Sequence, residues 1–363
     1  MAIGPTQEEQ IARARAEMRM GVPVVLAAPD GSGLLALPIE TLNTTRWDEL
    51  RQLGAPVLVL TARRADTLRA RAYDGDIARI ALTGEESLTW LQATADPAAD
   101  LRYPMKGPYI AQRDGDAGLH RHAVTLARRA QLLPAVLTIP LPDAGPFADE
   151  NGLHLVSQAT LDTYLSHWSP FEEVSAGRVP LHVAEAGRVH VFRARDGAEE
   201  HYVIEIGTPD RAAPVLTRLH SACFTGDVAG SLKCDCGPQL RAALAQMAEE
   251  GAGLLLYLNQ EGRGIGLANK MRAYSLQDEG FDTVEANHRL GFEDDERNFR
   301  VGSEILQAMG VRSVRLLTNN PRKVRMMDEG GVTVAERVPL RVGQTEQNRA
   351  YLATKRDKSG HDL

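Results

Sequence analysis

Hydrophobic positions recur along the chain in short blocks whose period switches between helix and strand. Gln7 to Met20 has the charged pattern of a surface helix, and Gly21-Val22-Pro23 ends it before the apolar run Val24-Val25-Leu26-Ala27, which predicts a strand. Pro56 to Leu60 reads as a strand, Arg63 to Ala70 and His122 to Gln131 as helices, and Ala135 to Ile139 as a strand. A turn at Asp143–Gly145 precedes a helical stretch from Leu161 to Trp168, which Ser169-Pro170-Phe171 breaks.

Past that break, Pro180 to Val183, Val189 to Arg193 and His201 to Ile206 alternate like hairpin strands, with Asp196-Gly197 as a turn. Leu240, Ala243, Leu244 and Met247 fall at helical spacing, so Gln239 to Glu250 is an amphipathic helix; Gly251 and Gly253 stop it and Leu254 to Leu258 follows as a buried strand. The plan then repeats. Gly302 to Met309 is helical, Gly310 ends it, Val314 to Leu317 is a strand, and Asn319-Asn320-Pro321 caps the next helix. The class is α/β (α+β), in two domains, each a mixed sheet with helices; the boundary is placed in the break near 170–178, giving domains 1–172 and 173–363.

The length of 363 residues agrees with about two domains. With 43% hydrophobic and 25% charged residues, the composition excludes a fibrous or largely disordered chain. The formal charge of -7 offers no bulk attraction to nucleic acid or anionic lipid, so neither is expected as a partner. No apolar run approaches the ~20 residues of a membrane span, and Met1 to Arg19 lacks a signal-peptide core; a cytoplasmic location is expected.

The three cysteines, Cys223, Cys234 and Cys236, are crowded together, which rules out a disulfide framework. Cys-x-Cys presents two sulfurs from one turn and the longer loop brings the third. Three thiolates leave one tetrahedral position of a Zn2+ ion free to bind and acidify water. Buried apolar cysteine is the alternative, against which the polar neighbours Ser221, Thr225, Asp227, Lys233 and Asp235 weigh. Gln260-Glu261-Gly262-Arg263-Gly264-Ile265-Gly266 follows a strand: its glycines admit close backbone approach and Arg263 suits a phosphate, although such a stretch is more often an ordinary turn and is neither a Walker loop nor a dinucleotide fingerprint. Asp294-Asp295-Glu296-Arg297 with Arg300 forms a further cluster. Thr318-Asn319-Asn320-Pro321-Arg322-Lys323 puts a hydroxyl at a strand end and two cations in a first helical turn, where they oppose the helix dipole unless an anion lies between them; a solvated basic face is the alternative.

Arg218-Leu219-His220-Ser221, the three cysteines, Gln260-Glu261-Gly262-Arg263, Lys270-Met271-Arg272-Ala273-Tyr274, Asp295-Glu296-Arg297 and Leu317-Thr318-Asn319-Asn320-Pro321-Arg322-Lys323 closely resemble GTP cyclohydrolase II over roughly residues 175–363. The resemblance implies a zinc enzyme at the entry to riboflavin synthesis that opens the guanine imidazole ring, releases formate and removes pyrophosphate from GTP. It makes Cys223, Cys234 and Cys236 the ligands of one zinc, which would polarise the water attacking carbon 8. Arg297 becomes the proposed nucleophile at the α-phosphate, Asp295 the proton acceptor beside it, and Tyr274 a residue close to the ring chemistry. Because guanidinium stays protonated, electrostatic stabilisation of the phosphoryl group by Arg297 is an equal reading. The GTP-binding positions carried over are Arg218, Leu219, His220, Ser221, Ala222, Gln239, Glu261, Gly262, Arg263, Thr283, Thr318 and Lys323, with Mg2+ on the triphosphate and a homodimer as the expected assembly.

Two departures bear on the substrate: Ala222 stands where the family has an acid, and Leu258-Asn259 replaces a more polar pair. A diverged paralogue acting on another nucleotide, as in pyrimidine breakdown, and a non-catalytic nucleotide-binding regulator stay open. In the first domain, Thr61 to Asp66, Ala123 to Arg128 and Phe147 to Leu153 resemble 3,4-dihydroxy-2-butanone 4-phosphate synthase, which is often fused ahead of the cyclohydrolase. The family's acidic loop is here Ala28-Pro29-Asp30-Gly31-Ser32-Gly33, with one carboxylate, its Gly-His pair is Gly118-Leu119, and its late glutamate falls at Pro140. One Asp is a poor site for a hard cation that wants several oxygens. His120 and His122 lie out of register and are expected at the surface or in caps. The first domain is expected to be degenerate and non-catalytic.

Overall fold

The computed structural model describes residues 3–166, 169–349 and 353; Met1 and Ala2, the last two residues of the expected Leu161–Trp168 helix and most of the C-terminal tail lie outside it. The chain forms two compact units, Met1–Trp168 with Ala268–Glu296, and Ser169–Leu267 with Arg297–Leu363.

The first unit is built on strands β1 (Val24–Ala27), β2 (Gly33–Pro38), β3 (Val57–Thr61), β4 (Ile77–Ala81), β5 (Ala135–Leu141) and β6 (Leu155–Ser157), in the order β4-β3-β5-β2-β1-β6. Neighbours are antiparallel except β1 and β6. Alternate residues serve opposite faces, as the two-residue period of a strand requires. Leu26, Leu34, Val59 and Val136 meet Ile11, Met18, Val124 and Leu126 from helices Gln7–Met20 and Gly118–Arg129. Val25, Leu35, Leu58 and Leu137 pack on the other side with Trp47, Leu50 and Leu91. Helix Gln7–Met20 starts in a capping box between Thr6 and Glu9 and ends on left-handed Gly21, whose φ of 77° explains the glycine. The pattern predicted no strand at Gly33–Pro38, because a central strand buried throughout shows no alternation.

In the second unit the strands are β7 (Phe171–Arg178), β8 (Gly187–Ala194), β9 (His201–Ile206), β10 (Val215–Ser221), β11 (Gly253–Leu258), β12 (Ser313–Leu317) and β13 (Thr333–Val338), ordered β13-β12-β10-β11-β9-β8-β7. The four strands β13, β12, β10 and β11 run parallel, and β9, β8 and β7 continue the sheet antiparallel. Helix Arg300–Ala308 covers one face through Val301, Ile305 and Leu306, and helix Cys236–Glu250 the other through Ala243 and Met247. The hairpin expectation needs one correction: Pro180–Val183 is not a strand but part of the connection closed by a Leu181–Ala184 bridge, and the strand lies earlier, at Phe171–Arg178. That edge strand is mostly exposed and polar, which hides it from a hydrophobic pattern.

Candidate functional site

Strand β10 sets the geometry. Leu216, Arg218 and His220 share the face covered by helix Cys236–Glu250, while Val215 and Leu219 share the face of helix Arg300–Ala308. Just past its end, the Ala222 amide donates to the Leu258 carbonyl at 2.7 Å, and a π-turn, Phe224–Val228, folds Cys223 back toward the start of helix Cys236–Glu250. The sulfurs of Cys223, Cys234 and Cys236 thereby come within 4.8 Å of one another, with Cys223 and Cys234 at 3.7 Å.

Gly226 makes room for that cluster. A Cβ there would stand 2.7 Å from the Cys234 Sγ and 3.1 Å from the Cys223 Sγ, and one on Gly237 would stand 2.1 Å from the Gly226 carbonyl oxygen. The Cys223 thiol pushes the Cys234 pKa up through their hydrogen bond, so the bare cluster prefers shared protons to several thiolates. Three converging soft donors around a position kept clear of side chain fit a soft cation such as zinc, which would displace those protons.

A polar network holds the cluster. The Asp227 carboxylate accepts from the Cys223 amide at 3.0 Å and the Tyr257 hydroxyl at 2.9 Å, and it faces His220 Nε2 at 3.1 Å. The His220 and Tyr257 rings stack at 5.5 Å. Burial pushes the Tyr257 pKa up, with Asp227 adding to it, and pushes the His220 pKa down. Glu261 accepts from the Phe224 amide at 2.6 Å and from the Gly262 amide at 2.9 Å, tying the Gly-rich turn to the cysteine loop. In that turn Gly262 and Arg263 are both left-handed, with φ of 62° and 64°; for Arg263 this costs of order 1 kcal/mol.

Arg218 is buried beside the cluster. Its guanidinium donates to the Leu317 carbonyl at 3.1 Å and to Gln239 Oε1 at 2.5 Å, and Gln239 passes a 2.6 Å bond on to Asp235. Burial lowers its pKa to about 10 against the pull of Cys236, Asp235 and Asp227, so it stays charged at neutral pH. On the other face Arg297 Nη1 donates to Ser221 Oγ at 3.2 Å, and Lys323 Nζ to the Leu219 carbonyl at 2.8 Å. Both cations lie over the Phe299 ring, at 4.6 and 5.2 Å. Thr318 is buried and accepts from the Asn320 amide, and Asn320 caps the helix that carries Lys323.

The structure therefore gathers Arg218, His220, Ser221, Ala222, the cysteines, Gln239, Glu261, Gly262, Arg263, Arg297, Thr318 and Lys323 in the second unit. The Leu219 side chain belongs to the core, leaving its backbone for any contact. Tyr274, Thr283 and Asp295 belong to the first unit: Lys270 lies over the Tyr274 ring at 5.7 Å, and Thr283 accepts from Gln277 at 3.3 Å as the first residue of its helix. Asn259 is committed elsewhere, donating to the Glu200 carbonyl and to His201 Nδ1. Sequence reasoning missed Gly226 and Tyr257. A glycine between two metal-ligand candidates was the available signal for the first, and the second lay inside an apolar strand.

In the first unit, exposed Asp30 bonds within its own loop, accepting from the Ser32 amide and hydroxyl at 3.0 and 2.6 Å. The surface or capping role expected for His120 and His122 needs correction. His120 is buried, and burial lowers its pKa to about 4, while half-buried His122 meets Asp162 at 3.0 Å.

Residues 172–339 match the family model described as GTP cyclohydrolase II. "GTP cyclohydrolase-2" of Azospirillum brasilense is 42% identical over 356 residues, 96% of this chain and 92% of that protein. "GTP cyclohydrolase-2" of Pseudomonas syringae pv. tomato is 54% identical over 192 residues, 53% of this chain and 93% of that protein, and "Riboflavin biosynthesis protein RibBA" of Bacillus cereus is 38% identical over 353 residues, 92% and 87% of the two chains. A solved structure of RibBX, a two-domain 3,4-dihydroxy-2-butanone 4-phosphate synthase from A. baumannii, covers 90% of this chain and 99% of its own at 17% identity and a TM-score of 0.33. With similarity to the Azospirillum protein running through nearly the whole of both chains, and a family model matched across the unit that holds the cysteine cluster, this chain belongs to the GTP cyclohydrolase II family of hydrolases.

Proposed function

We propose that the chain opens the imidazole ring of GTP by hydrolysis, releasing formate and pyrophosphate and leaving 2,5-diamino-6-(5-phospho-ribosylamino)pyrimidin-4(3H)-one, the first step of riboflavin biosynthesis. The observation that carries this reading is the Cys223/Cys234/Cys236 cradle, two of its thiols buried, set beside cationic Arg218, with the Arg297 and Lys323 cations bonded to Ser221 and Leu219 at the end of the same strand. A zinc ion held by the three sulfurs would supply Lewis acidity at its fourth position. Arg218 offsets thiolate charge and fixes the start of helix Cys236–Glu250 through Gln239 and Asp235. Glu261, an acceptor of backbone N–H groups as it stands, suits the N–H edge of guanine.

Arg297 and Lys323 are permanent donors at the end of β10 and suit a phosphoryl group whose charge develops during cleavage. In this reading Arg297 stabilises charge rather than attacking, Asp295 accepts a proton and Tyr274 acts near the ring. Mg2+ on the triphosphate, a homodimer and a cytoplasmic location belong to the same reading. The first unit is read as non-catalytic, in keeping with the single, internally bonded Asp30.

The test is incubation of zinc-loaded protein with GTP and Mg2+, following formate, pyrophosphate and the pyrimidine together. All three are expected in equal amounts, and Cys234→Ser is expected to lose both zinc and product. Unchanged GTP, or pyrophosphate without formate, would overturn the reading in favour of another nucleotide, as Ala222 would then suggest.

A further inference from the structure

Ala268–Glu296 lies inside the stretch that matches the cyclohydrolase family, yet it packs as part of the first unit. The attachment is built from side chains that reach across long stretches of sequence. Arg272 donates to Asp96 Oδ2 at 3.0 Å and meets Glu40 Oε1 at 3.1 Å. Asn269, fully buried, donates to the Gln131 carbonyl at 3.0 Å and accepts from Arg272 at 2.7 Å. Thr61 donates to the Gly291 carbonyl at 2.8 Å. Gly291 itself has a φ of 90° and no room for a Cβ, which would stand 2.7 Å from Thr61 Oγ1 and 2.9 Å from Pro134 Cγ. The surface on which the segment rests is thus shaped to its backbone.

The segment carries Tyr274 and Asp295, to which the reading above gives chemistry, and Thr283, which the family resemblance makes a GTP-binding position. We propose that the first unit acts as a scaffold that orders Ala268–Glu296, and that the retained role of a domain without its own acidic loop is to hold this segment of the cyclohydrolase in its working conformation. Glu40 and Asp96 are positioning residues acting through Arg272. They also serve their own unit: Glu40 accepts from the Leu133 amide at 2.8 Å and Asp96 from the Ala98 amide at 2.9 Å. Gln and Asn keep both of those acceptors and remove only the charges that face Arg272.

The experiment compares the full-length chain with its E40Q/D96N variant, by amide hydrogen exchange and by GTP turnover. Exchange in 268–296 is expected to quicken about 10-fold, the effect of losing the two half-buried ion pairs of Arg272. Exchange and zinc content around Cys223–Cys236 are expected to stay as they were. Turnover is expected to fall through kcat by a similar factor, and Asp96→Glu, which restores one charge, to recover part of it. Unchanged exchange in the segment would overturn the scaffold, and so would quickened exchange with kcat and KM both intact. This inference rests on the proposed activity only for its turnover arm: an unsubstituted chain that leaves GTP intact refutes that activity, while the exchange comparison still decides whether the first unit orders the segment.

Discussion

At the scale of single residues, the Asp227 carboxylate is where the cysteine loop, strand β11 and strand β10 are joined, through the Cys223 amide, the Tyr257 hydroxyl and His220. None of these groups is a sulfur ligand, yet each restrains the loop on which Cys223 rides. Asp227→Asn keeps the shape and loses the charge and one acceptor, so it is expected to weaken zinc binding by about 10–100-fold, the usual effect of disturbing groups behind metal ligands. Tyr257→Phe removes one donor and is expected to weaken it less. Zinc release to a chromogenic chelator measures both, and equal release from all three proteins would refute this role. The sequence showed Cys223, Cys234 and Cys236 as a cluster because thiol spacing is a local feature, and it offered Arg263 in a Gly-rich turn that reads as an ordinary turn as well. It showed Asp227 only as a polar neighbour and Tyr257 not at all, since their meeting depends on the register of β10 against β11.

At the scale of elements, the site depends on a π-turn packing backbone to backbone against a helix start. Gly226 and Gly237 are the contact, and a methyl on Gly226 would collide with two sulfurs. Gly226→Ala is therefore expected to spread the cysteine cluster and to destabilise the zinc-free protein by about 1–3 kcal/mol, as overpacking does; calorimetry with and without zinc checks it, and a wild-type melting temperature together with full zinc binding would contradict it. Most helices and half-buried strands were legible from period, including Gln7–Met20 and His201–Ile206, and the buried strand Val24–Ala27 from its apolar run. Strand β10, which carries Arg218 and His220, was not. It is buried along nearly its whole length while holding Thr217, Arg218 and His220, and a hydrophobic pattern cannot recognise buried polar residues whose partners come from other elements.

At the scale of the whole molecule, buried histidines in both units are held uncharged at neutral pH, His120 in the first and His201 in the second among them. Burial lowers both His120 and His201 from 6.5 to about 4, and His201 Nδ1 accepts from the Asn259 amide, which a proton there would prevent. Between those values the unfolded chain binds protons that the folded chain refuses. The stability is thus fully present above about pH 6.5 and is lost as pH falls toward 4, by about 3 kcal/mol for each histidine. Urea midpoints between pH 7.5 and 4.5 are expected to fall accordingly; a flat profile would refute it, and His201→Gln should remove part of the slope. No helix among the described residues is long and apolar enough to cross a membrane. What the sequence by itself determined was the alternation of elements, two mixed α/β sheets and a three-thiol cluster, because periodicity and thiol spacing are written in neighbouring residues. Only the tertiary structure decided the strand orders and the allegiance of Ala268–Glu296, whose Arg272 finds Asp96 at a separation of 176 residues. Such partners are chosen by burial and charge pairing after the chain has folded back on itself, and no local pattern encodes them.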